Sequence, residues 1–77
     1  VSAPAKFDKS DLQATLKRYM RFEERCAQAV KMKDRDLANA MRAGHNLAGW
    51  RIKDYLDTFP EETVEAAAEI GVDVAHA

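Results

Sequence analysis

Lys31-Met-Lys-Asp-Arg-Asp36 (KMKDRD) is the stretch on which the fold depends. Apolar residues recur at helical spacing on both sides of it. Before it stand Leu12, Leu16, Tyr19, Cys26 and Val30, with Met20, Phe22 and Ala27 widening the stripe. After it stand Leu37, Met41, Gly44, Ala48, Ile52, Tyr55 and Phe59. The two stripes are in phase, so one unbroken helix would satisfy the same pattern. Against that, Glu23, Lys33 and Gly44 would all fall on its seam, and heptad spacing is not sustained. Lys31 and Lys33 suit a helix C-terminus, where the backbone dipole favours cations. Asp34 offers a side-chain oxygen to the free N–H groups of a new first turn. The stretch therefore reads as a turn at 33–36 joining two antiparallel helices, about 11–32 and 36–58.

Outward from the turn, residues 1–9 read as an arm, small and polar apart from Phe7. Ser10 or Asp8 is placed to cap the first helix. At the other end, Thr58-Phe-Pro-Glu61 matches a capping box, and Phe59 precedes proline, which steers it from helical angles. A short third helix, about 60–70, is predicted from there, with Gly71 as its C-terminal cap. Its Glu61, Glu62 and Glu65 lie near the positive end of the helix dipole. Residues 72–77 receive no assignment. The fold class is all-α: an antiparallel helical hairpin plus a short third helix, in a single small domain over 1–77.

A chain of 77 residues buries a modest core and is often stabilised further by disulfides, a metal or a partner subunit. Cys26 is the one cysteine, which excludes an intrachain disulfide and fits a reducing compartment. Self-association into a helical bundle is therefore the expected source of added stability. No apolar run approaches the roughly 20 residues that span a bilayer, and no secretory signal pattern opens the chain. A cytoplasmic location without membrane contact is expected.

Net charge is −1 but unevenly spread. Residues 1–53 hold all twelve Lys/Arg against six Asp/Glu, whereas residues 54–77 hold seven acids and no base. Either the acidic end lies against the basic hairpin, in the same chain or a neighbour, or a basic anion-binding surface competes with an acidic tail.

Ala43-Gly-His-Asn-Leu-Ala-Gly-Trp50 resembles a catalytic loop only in isolation. On a helix, Ala40, Gly44 and Ala48 form a ridge of small residues into which Tyr19, Phe22 and Met20 can pack. Gly49 falls toward the polar side, where it marks a kink or an early end to the helix. Glu23 lies within the apolar stripe of the first helix, and a buried carboxylate requires a partner. In the hairpin, His45 and Arg51 are its candidate partners in a structural buried pair. Cys26, His45 and His76 lack metal-ligand spacing, and no glycine-rich phosphate loop is present. No catalytic residue, cofactor, metal or small-molecule substrate is expected, and the protein reads as non-enzymatic.

Two surfaces remain. Ala43, Leu47 and Trp50 form a flanking apolar patch, either covered by the third helix or Phe7, or used to bind a partner. Lys17, Arg18, Arg21 and Arg25 cluster opposite the apolar stripe, where they can grip phosphates. The expected function is protein–protein interaction, as an oligomeric assembly subunit, or as an adaptor or inhibitor acting on a partner protein. Nucleic-acid binding through the basic face is the alternative.

Overall fold

A computed structural model describes residues 6–74; residues 1–5 and 75–77, His76 among them, lie outside the described range. Three helices follow in order: α1 Lys9–Lys31, α2 Arg35–Thr58 and α3 Pro60–Glu69. The described residues contain no strand. The all-α hairpin with a short third helix is the observed architecture.

The turn forms where the KMKDRD stretch places it. Asp34 N–H donates to the Ala29 carbonyl at 3.0 Å and Lys33 N–H to Val30 at 3.1 Å, the paired bonds of a Schellman closure. That closure needs a left-handed residue, and Lys33 supplies it at φ +57°. The Asp34 carboxylate in turn accepts from Leu37 N–H at 3.1 Å. One residue thus closes α1 and opens α2. At the start of α1, Asp8 is the cap, accepting from Asp11 N–H at 3.0 Å.

The join between α2 and α3 differs from the predicted capping box. Thr58 is the last residue of α2, so its side chain does not reach the next turn, and α3 opens on Phe59 without a side-chain cap. A single non-helical residue, Phe59 at φ −131° and ψ 67°, separates the helices, and Pro60 occupies the first turn of α3. There the missing N–H of proline costs no hydrogen bond. Gly71, at φ +76°, lets Val72 N–H reach the Ala67 carbonyl at 2.9 Å and ends α3 as expected.

The seam between α1 and α2 keeps most of the predicted stripe and departs from it near the turn, where Ala29 and Ala38 are buried in place of Val30 and Leu37. Along α1 the residues turned inward are Leu12, Thr15, Leu16, Tyr19, Phe22, Cys26 and Ala29; along α2 they are Ala38, Met41, His45, Ala48, Ile52 and Tyr55. Leaving aside Leu16, which widens the seam toward α3, steps of three and four alternate along each set, so heptad spacing holds within each helix. Near the turn the seam is narrowed by Ala29 and Ala38, both buried. Helix α3 lies across the open base of the hairpin on its Leu12–Leu16 side. Leu12, Leu16, Tyr55, Ala66, Ala67 and Val74 form the core there, with Phe7 packed edge-on against Tyr55 and Phe59. Gln13 Nε2 donates to the Ala66 carbonyl at 3.0 Å, and Lys9 pairs with Glu69 at 2.7 Å.

Candidate protein interaction surface

Glycine and alanine on α2 decide how α1 approaches this side of the hairpin. A Cβ on Gly44 would stand 2.6 Å from Cζ of Phe22, so the ring occupies the space that a side chain would need. Ala48 is buried beside it, as the small-residue ridge predicts, but Ala40 is exposed and takes no part. Of the three side chains assigned to fill the ridge, Phe22 packs on Gly44, Tyr19 lies against Gly49 and His45 instead, and Met20 is exposed. Gly49 neither kinks nor ends α2, which runs unbroken to Thr58. Its Cα faces the seam, where an added Cβ would meet Tyr19 Cε2 at 3.3 Å.

The predicted buried pair of Glu23 with His45 or Arg51 does not form. Because Phe22 takes the seam position, the next residue, Glu23, emerges into solvent. Glu23 and His45 line one shallow groove without bonding, and the His45 ring stacks on Tyr19 with centroids 4.1 Å apart. His45 Nε2 is buried and has no hydrogen-bond partner among the described residues.

Arg51 is held by Asp11 instead. Its Nη2 and Nε lie 2.7 and 2.8 Å from Asp11 Oδ2, and Tyr55 O–H donates to the same oxygen at 2.9 Å. This clamp was missed at the level of sequence, although hairpin register points to it. Phe22 meets Gly44 and Asp11 meets Tyr55, so eleven residues back along α1 match eleven forward along α2. Arg51 thereby comes within a turn of Asp11 and stays well short of Glu23. Burial pushes the Asp11 carboxyl up, but the hydrogen bonds from Tyr55 and Arg51 and the Arg51 charge outweigh it and hold it below the ordinary value. Burial raises the Tyr55 hydroxyl, and its bond to Asp11 raises it further.

Neither α3 nor Phe7 covers the flanking apolar patch. Phe7 is committed to Tyr55 and Phe59, and α3 lies on the other face of the hairpin. Leu47 and Trp50 therefore remain 59% and 58% exposed, and Ala43 is exposed on the same stripe. Beside them runs a groove of about 280 Å³, with Gly44 and Ala48 at its floor and Phe22, Leu47, Arg18 and Arg51 as walls.

Helical period places Arg18, Arg21 and Arg25 along the α1 rim of that groove. All three are exposed, as is Lys17. Arg18 donates to Thr15 Oγ1 at 3.2 Å, and none of the four has an ion-pair partner among the described residues. On α3, Thr63, Ala66 and Ala67 are buried, while Glu61, Glu62 and Glu65 are exposed. Of the acids on α3, Glu69 reaches a base of the hairpin. Among the described residues no group of three or more His, Cys, Asp or Glu is placed to hold a metal ion. No described helix is long and apolar enough to cross a membrane.

Comparison with protein-family models, with curated proteins and with solved structures finds no significant match for this chain.

Proposed function

We propose that this protein is a non-enzymatic protein–protein interaction module, acting through the Ala43–Leu47–Trp50 face of α2. The observation that carries this reading is the exposure of Leu47 and Trp50 side by side beside a groove that the rest of the described chain leaves open. Isolated exposed apolar residues are ordinary, but a leucine and a tryptophan on one stripe next to a small-residue floor form a contiguous patch. Tryptophan buried at the centre of a contact contributes disproportionately to binding. The assembly form of the reading has the chain associate with itself; the adaptor or inhibitor form has it occupy a different protein. No cofactor or small-molecule substrate is part of either form.

Sedimentation of the pure protein over a concentration series tests the reading. Self-association is expected and should fall by about tenfold or more in Leu47→Asp and Trp50→Ala, a change on the scale of a lost hot-spot residue. Folding of both variants is checked by circular dichroism. Affinity unchanged in both would sink the proposal.

The exposure of Lys17, Arg18, Arg21 and Arg25 without acidic partners favours a second reading, phosphate contact with nucleic acid. Salt-sensitive binding to a generic duplex, lost when Arg18, Arg21 and Arg25 become glutamine, would support it.

A further inference from the structure

Two unfilled surfaces of the molecule are complementary in both shape and charge. The first is the groove between α1 and α2, floored by Gly44 and Ala48 and rimmed on one side by Leu47. Its other rim carries Arg18, and helical period continues that side of α1 with Arg21 and Arg25, over about 10 Å of helix at 1.5 Å rise per residue. The second is the outer face of α3. Pro60, Val64 and Ala68 recur every four residues along it and form a narrow apolar stripe, with Val64 half-buried against the core and Glu61 and Glu65 beside it. These two glutamates are exposed and have no ion pair among the described residues, as is true of the three arginines.

The two surfaces cannot meet within one chain. α3 buries its Thr63–Ala66–Ala67 side against the Leu12–Leu16 side of the hairpin, and the arginine-rimmed groove opens on the opposite side. We infer that the groove of one copy receives the outer face of α3 from a second copy, with Glu61 and Glu65 set against the Arg18–Arg25 rim. The inference rests on the reading of the Leu47–Trp50 face as a contact surface and names what occupies it.

Small side chains on both partners allow close approach. Ala68 and the exposed edge of Val64 are narrow enough to enter a groove whose floor is glycine and alanine, with Leu47 placed to flank the stripe. The charges steer the encounter and select the register, since like charges brought together here would oppose contact. The same charges account for the division of the sequence into a basic first part and an acidic last part. Because the donor and acceptor surfaces differ, the contact is heterologous, and each added copy presents a fresh groove and a fresh α3.

The test uses sedimentation velocity at low and high salt on the intact chain and on two charge-reversed variants. One carries Arg18→Glu with Arg21→Glu, the other Glu61→Arg with Glu65→Arg. Circular dichroism verifies folding, and the milder pair Glu61→Gln with Glu65→Gln stands in if the arginines unsettle α3. The natural chain is expected to associate at low salt and to loosen at high salt. Either reversed variant alone should associate at least about tenfold more weakly. An equimolar mixture of the two should recover, because each reversed surface then finds its complement. Undiminished association of a reversed variant, or a mixture that fails to recover, overturns the inference. If Leu47→Asp abolishes association while the reversed variants retain it, the contact face stands and α3 is not its occupant. A natural chain that stays monomeric at both salts removes the self-docking contact altogether. Loss of duplex binding in the groove variant, with self-association intact, would assign the arginine rim to phosphates instead.

Discussion

Gly44 and Gly49 lie on the same helix, yet a methyl group added at each should have opposite consequences. Alanine in place of glycine inside a helix gains up to about 1 kcal/mol from propensity alone. At Gly44 the new Cβ would collide with three atoms of the Phe22 ring, at 2.6 to 3.0 Å. Overpacking of this kind costs about 1–3 kcal/mol, which exceeds the propensity gain. At Gly49 one atom of Tyr19 stands at 3.3 Å and must give by a few tenths of an ångström. Gly44→Ala is therefore expected to lose about 1 kcal/mol and Gly49→Ala to gain about 0.5, read from urea midpoints. Equal gains at both sites would show that Phe22 does not constrain the backbone. The role of Gly44 was legible in the sequence, since it falls in the apolar stripe. That of Gly49 was not, because it borders the stripe beside Ala48 and only the reach of the Tyr19 ring brings it against α1.

Which residues are buried along the seam is a property of the helices as units. Leucine, valine and methionine dominate any hydropathy reading, whereas Thr15, Ala29 and Ala38 carry little weight in it. Yet these three are buried, and Val30, Met32 and Leu37 are exposed around the turn. The small residues set the closest approach of α1 to α2, and the larger ones fall to either side. Glu23 consequently reads as a core residue and is not one, and Arg51 is released to bind Asp11. The turn itself was legible, because its capping aspartate and flanking lysines act through local chemistry that packing does not override. The Asp11–Arg51–Tyr55 clamp ties the two helices together and makes that tie sensitive to acid. The folded Asp11 titrates below its ordinary value of 3.8, so its contribution is fully present above that value and fades as pH falls through the folded one. Charged hydrogen bonds contribute about 1.5–3 kcal/mol, and exposure of the two side chains, 29% and 46%, reduces this toward 1. Asp11→Asn should cost about 1 kcal/mol at neutral pH and show a smaller deficit near pH 3, by urea unfolding at both. A deficit independent of pH would assign the loss to packing.

Over the molecule as a whole, the hairpin is layered unevenly. α3 and the Val72–Val74 segment cover its base, while the half nearest the turn keeps only the α1–α2 seam. The sequence announced three helices and their order, but not which face α3 would cover. That depends on a single joint, Phe59, whose two dihedral angles fold α3 back onto its own chain. Were Phe59 to adopt helical angles, α2 and α3 would merge into one rod over 35–69. The Thr63–Ala66–Ala67 side would then be free to dock on the Leu12–Leu16 surface of another molecule. Pro60 opposes that exchange: within a continuous helix its ring would strike the Leu56 carbonyl and forfeit a hydrogen bond, at about 3 kcal/mol. Pro60→Ala should accordingly raise the yield of a slowly dissociating, salt-resistant dimer after refolding at high concentration, measured by size-exclusion chromatography. An unchanged yield would mean that packing of α3, and not the proline, holds the chain in its closed form. A raised yield would mean that one imino acid stands between this topology and a swapped competitor built from the same contacts.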